Sequence, residues 1–280
     1  MGDPPSRIAV VGPDDDRTSR ARRAVGDAGG ELVDPPSADA DADAVVALGD
    51  DAIHDVVRRA VASDGSVDAD QTPVYPLRER LPDPLAGNTV TVDDAVGNDR
   101  NSIDQAIRHL LDGTTRTVPH PVLAADIGGT NTYHAALDVA LVTDEPARIS
   151  EYGIEIPGRR HVTVRSDGVV VATPLGSEGY ANAAGGPVIT PGAGLAVVPI
   201  APFTTRRDTW VVDGEVALSV ERDVEAVSIV VDGGRRERIP AGRPVRIGVG
   251  AHVDLLVDGT GPNPGDGVDP ATDRKGSNNS

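Results

Sequence analysis

An α/β layer with a parallel, doubly wound sheet, followed by an all-β domain, is the fold class the sequence predicts. Three observations predict it. Up to about Gly113, short apolar runs alternate with segments of helical spacing, the pattern of βαβ units. From Thr117 to Asp258 there are only short runs rich in β-branched residues, separated by Gly, Asp and Pro. The 280 residues suffice for about two domains of ordinary size.

The elements follow in order. Arg7 to Gly12 reads as a buried strand. Asp14 to Asp16 can cap a helix that carries Arg17, Arg20, Arg22 and Arg23 and ends at Gly29-Gly30. Glu31 to Asp34 is a short second strand, and the Ala/Asp tract from Ala38 to Ala44 is a solvated loop or helix face. Ala44 to Leu48 is another buried strand, broken by Gly49-Asp50-Asp51. Ile53, Val56, Val57 and Ala60 place a helix over Ala52 to Ala62. Pro73 to Leu77 is the next strand, and Asn101 to Leu111 the next helix.

In the β-rich part, Val169 to Ala172 is a buried strand stopped by Pro174 and Gly176. Ser177 can cap a helix of small residues through Ala184, ended by Gly185-Gly186-Pro187. The small residues let a ligand or another backbone come close, and a hydroxyl with free N–H groups suits an anion or ribose oxygens. Asp213-Gly214 and Asp232-Gly233 are hairpin signals, and DIGGTN (126–131) reads as a Gly-rich hairpin turn. The expected division is 1–113, 114–258 and a disordered Gly/Pro/Asp/Ser-rich tail over 259–280.

Composition limits the partners. A net charge of −18 opposes nucleic acid and anionic membrane surfaces. Lys275 is the single lysine, Phe203 the single phenylalanine and Trp210 the single tryptophan. An acidic, lysine-poor chain of this kind resembles proteins of extreme halophiles, where salt screens surface repulsion; the Debye length is about 3 Å at 1 M. The acidity is then a matter of habitat and not a cation-binding surface. Without cysteine there are no disulfides or thiolate metal sites. No run has signal-peptide or transmembrane length, so a cytoplasmic protein is expected. The six histidines show no metal-ligand spacing, and no residue is assigned to a metal.

The stretch 166–187, SDGVVVATPLGSEGYANAAGGP, resembles the signature of the NAD kinases: DG, four apolar residues, TP-x-GS-x-x-Y, then small residues and GGP. It matches at Asp167, Gly168, Thr173, Pro174, Gly176, Ser177, Tyr180, Gly185, Gly186 and Pro187. An α/β domain before a β-rich domain is also that family's architecture. The resemblance implies phosphoryl transfer from ATP or polyphosphate, with Mg²⁺, to the 2′-hydroxyl of NAD.

It also implies site residues. In the family, a Gly-Gly-Asp-Gly loop supplies the carboxylate that takes the 2′-hydroxyl proton. Leu48-Gly49-Asp50-Asp51 stands there, with the first and last glycines replaced. Asp50 is the implied base. Asp51 adds negative charge to the phosphate path unless it turns outward or helps hold Mg²⁺. Asp50 or Asp51 as a mere cap of the following helix is the alternative reading. Asp138 and Val139 replace the family's Asn-Glu pair, and Glu178-Gly179 replaces its usual Thr-Ala. Gly49, Asp51, Asp138, Asp167, Thr173, Gly176, Ser177, Gly179 and Tyr180 are the implied nucleotide contacts. The implied partners are small nucleotides and further copies of the chain, as a dimer or tetramer. The altered motifs leave a second reading open: a catalytically impaired relative that binds a nucleotide as a sensor.

Overall fold

Strand β1 (Arg7–Val11) is apolar on both faces and forms the centre of a parallel layer with β2 (Glu31–Val33), β3 (Ala44–Leu48) and β4 (Val74–Glu79). The computed structural model describes residues 4–34, 42–61, 66–67, 71–79, 90–92, 103–145, 148–158, 161–204, 208–222 and 226–258. The expected tail at 259–280, and the Ala/Asp tract as far as residue 41, lie outside these residues.

The parallel order is β2-β1-β3-β4, with β5 (Val90–Val92) on the far edge of β4. Helix α1 (Asp16–Asp27) begins at Asp15, whose carboxylate accepts from Thr18 N–H at 3.0 Å, a side-chain cap on an otherwise unpaired donor. Helices α1 and α3 (Ile103–Leu111) cover one face of the sheet, packing on Ile8, Val10, Val46 and Leu77. Helix α2 (Asp50–Ala60) covers the other face through Ile53, Val56 and Val57, against Ala9, Val45 and Val74. The doubly wound layer is therefore present. The α2 cluster also takes in Leu137 and Leu175, which fixes the helix against the second half of the chain.

That second half is a sandwich. Long strands β6 (Thr115–Ile127) and β17 (Val245–Asp258) pair antiparallel along their length, with a bulge between Val249 and Ala251. Leu255 of β17 pairs with Val74 of β4, so the parallel layer runs on into an antiparallel sheet. There β7 (Asn131–Ala135) pairs with β6, while β9 (Ser150–Glu155), β10 (Val162–Ser166) and β14 (Val216–Arg222) continue beyond β17. The facing sheet is antiparallel in the order β13-β12-β11-β8-β15-β16, with β8 (Asp138–Thr143), β11 (Gly168–Ala172), β12 (Leu195–Ile200), β13 (Trp210–Val212), β15 (Val227–Val231) and β16 (Gly234–Arg238). Val169 and Val171 point into the core between the sheets. Val170 and Ala172 point the other way, onto helix α4 (Tyr180–Ala183) through Ala181. This two-sided burial is why the run 169–172 has no polar member.

Three expectations need correction. Helix α2 begins at Asp50, two residues before the expected start, and its N-cap is Gly49 at φ +83°. That conformation suits glycine, so Asp50 and Asp51 are first-turn residues and neither is the cap. Asp213-Gly214 is not a hairpin: β13 and β14 belong to different sheets, and the dipeptide carries the chain across. Ser177 does not cap a helix to Ala184; it lies inside a 3-10 turn, Gly176–Glu178, and α4 follows from Gly179. Asp232-Gly233 does close a two-residue hairpin, with both residues at positive φ, and Gly128-Gly129-Thr130 closes the β6–β7 hairpin.

Candidate active site

The short β3–α2 junction sets Asp50 at the C-terminal end of a parallel strand, where open α/β sheets bind ligands. Asp50 is half-exposed. Its carboxylate is gripped by Arg78 at the end of β4, with Nε–Oδ1 at 2.6 Å and Nη2–Oδ2 at 2.9 Å. Arg78 is buried. Its Nη1 donates to the Leu175 carbonyl at 2.8 Å and lies 3.7 Å from Glu178 Oε2. One guanidinium thus joins the first residue of α2 to the turn after β11. Its planar fork can serve a carboxylate and a carbonyl together, which an ammonium does less well.

The turn itself is built from its own polar groups. Thr173 Oγ1 donates to the Ala136 and Leu137 carbonyls (2.9 and 3.0 Å) and accepts from Gly176 N–H at 3.1 Å. Ser177 Oγ donates to the Pro174 carbonyl at 2.6 Å and accepts from Ile189 N–H at 3.0 Å. Ser177 N–H bonds Thr173, and Gly179 N–H bonds Gly176. A Cβ on Gly176 would overlap the Leu137 carbonyl. Of the two expectations for these small residues, close approach of another backbone is what the structure shows at Gly176. Thr173, Gly176 and Ser177 are fully buried scaffold, with these donors and acceptors spent inside the chain.

Of the other expected residues, Asp138 pairs with Ala172 at the Thr173 end of β11, whereas Asp167 precedes the opposite end of that strand. Asp138 opens β8. Burial, and next the negative charges of Asp232 and Asp50, push its carboxyl up to about 7, against the pull of Arg78. Tyr180 is 46% exposed at the start of α4. Its phenol is raised by burial and then by the charges of Asp138 and Asp167. Asp167 is half-buried in the β10–β11 bend; its carbonyl accepts from Thr143 N–H at 2.9 Å. Gly179 sits beside Arg78: a Cβ there would stand 3.3 Å from Nη2. Asp51 is exposed in the first turn of α2.

Three participants carry no signal in the motifs. Arg78 is one. Asp232 is another: its side chain is fully buried and accepts from the N–H groups of Ala136, Leu137 and Asp138 at 2.8, 2.8 and 2.9 Å. The third is His54 of α2, whose Nδ1 donates to the Asp232 carboxylate. The Asp232-Gly233 hairpin was legible as a turn; that its carboxylate would brace the start of β8 was not. His120 is buried. Burial holds it down to about 4, and its Nε2 donates to the Ala136 carbonyl at 2.8 Å.

Residues 138–258, which begin at that braced aspartate, match the family described as ATP-NAD kinase C-terminal domain. This segment is similar to the C-terminal domain of the NAD kinases. The chain is 31% identical over 151 residues to an NAD kinase of Thermoplasma acidophilum, covering 52% of this chain and 55% of that one. It is 34% identical over 136 residues to an NAD kinase of Methanopyrus kandleri, covering 48% and 49%. The chain spans about half the length of the curated relatives it matches. Among solved structures, yeast NADH kinase in complex with NADH superposes with a TM-score of 0.65 at 16% identity, covering 91% of this chain and 84% of that one. An NAD kinase from Archaeoglobus fulgidus in complex with ATP superposes at 0.61 and 21%, covering 90% and 94%. The fold of the NAD kinases therefore extends over the α/β layer as well as the matched segment.

Proposed function

We propose that the chain is an NAD kinase-type phosphotransferase that moves a phosphoryl group from ATP or polyphosphate to the 2′-hydroxyl of NAD, giving NADP. One observation carries the reading: Arg78 ties Asp50, from the altered Gly-Gly-Asp-Gly loop, to Leu175 inside the TP-x-GS turn of the matched segment. Remnants of two motifs about 125 residues apart in sequence are thus joined by one side chain. Relatives named NAD kinase support the chemistry.

In this mechanism Asp50 accepts the proton of the 2′-hydroxyl as its oxygen attacks the terminal phosphorus. The phosphorus–oxygen bond to the leaving phosphate breaks, and ADP or a shortened polyphosphate departs. Arg78 aims the Asp50 carboxylate. Asp138, Asp167, Gly179 and Tyr180 line the dinucleotide side, and Gly49 leaves the loop backbone bare toward the donor. Among the described residues no group of three His, Cys, Asp or Glu is arranged to hold a metal. Mg²⁺ takes few protein carboxylates and prefers substrate phosphates, so it would arrive on the donor.

The rest of the reading is a nucleotide domain over 1–113, a dinucleotide domain over 114–258, a homo-oligomer, and a cytoplasmic setting at high salt as in halophilic archaea. The charge of −18 supports the last. Among the described residues no helix is long and apolar enough to cross a membrane. The test is NADP formation from NAD with ATP and with polyphosphate in molar KCl. NADP is expected with at least one donor; its absence with both overturns the reading.

A further inference from the structure

We propose that the cleft between α2 and the β15–β16 hairpin is a second ligand site, taking a phosphate-bearing small anion. The cleft measures about 670 Å³, within the range of small-molecule sites. Helix α2 lines it with His54, Asp55 and Arg58, strand β7 with Thr132 and His134, and strand β16 with Arg236. It lies along α2 from the candidate active site: Arg58 is eight residues beyond Asp50, about 12 Å of helix rise.

Charge is the first argument. The protein carries −18, and many of its arginines are paired with carboxylates: Arg20 with Asp104, Arg78 with Asp50, Arg235 with Asp144. Arg58 and Arg236 have no carboxylate within ion-pair distance among the described residues, although Asp55 shares the cleft wall. Glu237, next to Arg236, is engaged by the Tyr133 hydroxyl at 2.9 Å and by Asn131 Nδ2 at 2.7 Å. In an acidic protein, two unpaired guanidinium groups on opposite walls of one cleft form a local anion trap.

The lining chemistry narrows the ligand. Guanidinium forks match phosphate oxygens, and the Thr132 hydroxyl adds a neutral donor. Burial holds His134 below its ordinary value, so it is a neutral hydrogen-bonding group at pH 7. The wall is also fixed in place. His54 is pinned by Asp232, whose carboxylate is anchored by three backbone N–H groups. A site prearranged in this way loses little entropy on binding. The two walls and the volume suit a diphosphate or longer, free or as part of a nucleotide.

Calorimetric titration of the full chain at low and molar salt tests the proposal, with pyrophosphate, ATP and adenosine as separate probes. The expected result is that pyrophosphate and ATP bind, adenosine does not, and molar salt weakens binding. In Arg58→Gln/Arg236→Gln, pyrophosphate affinity falls by about tenfold or more, as loss of charge-assisted hydrogen bonds requires. Arg59→Gln, which removes a charge from the same helix outside the cleft, leaves it within about twofold, and Asp55→Asn tightens it. Equal melting temperatures check that the variants are folded. No pyrophosphate binding, equal binding by the double variant, or equal loss in Arg59→Gln overturns the site. The titration does not read NADP formation, so the kinase reading and this site fail separately.

Discussion

The carboxylate of Asp50 is held by both Nε and Nη2 of Arg78, at 2.6 and 2.9 Å, while Nη1 of the same guanidinium donates to the Leu175 carbonyl. The implied base is thus aimed by a residue that no motif names. Because Asp50 is 51% exposed on its side chain, solvent screens the pair and its worth as an ion pair is small. Its effect is on direction.

Asp50→Asn is expected to lower turnover by about 10²–10⁴ while leaving NAD affinity nearly unchanged, since a base acts in the transition state. The amide keeps one acceptor for Arg78, so the melting temperature moves little. Steady-state NADP formation alongside NAD titration checks this. Full turnover in the variant would remove Asp50 from the mechanism.

Arg78→Lys keeps the charge and loses the fork. One ammonium cannot serve Asp50 and the Leu175 carbonyl in the same way, and a buried carbonyl loses its donor. A destabilisation of about 1–3 kcal/mol is expected from the unsatisfied group. Turnover should fall more than the KM for NAD rises, because Asp50 loses its aim. Chemical denaturation and kinetics measure the two parts; an unchanged turnover would make Arg78 purely structural.

Asp51→Gly restores the family's glycine and removes a negative charge beside the donor path. The KM for ATP is expected to fall. The helix pays for it: the change gives up an acidic first-turn residue, about 0.3–1 kcal/mol, and adds glycine entropy, about 0.5–1 kcal/mol. A lower melting temperature with a lower KM is the expected pair of results. A raised KM would make Asp51 a ligand of the donor's metal.

Much of the scaffold was legible because its signals are local. Ala44–Leu48 and Val169–Ala172 are unbroken apolar runs, and both proved buried on two faces. The site was less legible because its contacts are distant in sequence. Asp213-Gly214 and Asp232-Gly233 are the same dipeptide, yet one changes sheet and the other closes a hairpin; strand pairing decides this, not the turn. The Ser177 hydroxyl is spent on Ile189, twelve residues on. The role of Arg78 arises only where β4 ends beside Leu175.

Gly176→Ala separates scaffold from ligand contact. The added Cβ meets the Leu137 carbonyl, so the turn must shift, at about 1–3 kcal/mol for an overpacked interior. A fall in melting temperature without any nucleotide present is the expected result. An unchanged melting temperature with weakened NAD binding would return Gly176 to the ligand.

Asp138 makes stability depend on pH in a direction that can be checked. Its carboxyl stands at about 7 in the folded protein, against an ordinary value of 3.8, raised first by burial and then by Asp232 and Asp50. Between those values the folded state holds a proton that the unfolded chain has released. Unfolding stability therefore falls as pH rises from about 4 to about 7, and the full penalty is present above that window. Three units bound it at ~4 kcal/mol. Asp138→Asn mimics the protonated form at every pH. Its melting temperature should match that of the wild type near pH 4 and exceed it increasingly up to pH 8, where the difference levels off. A difference that stays constant across the range, or grows toward acid, would show that Asp138 is already ionised in the folded protein at low pH.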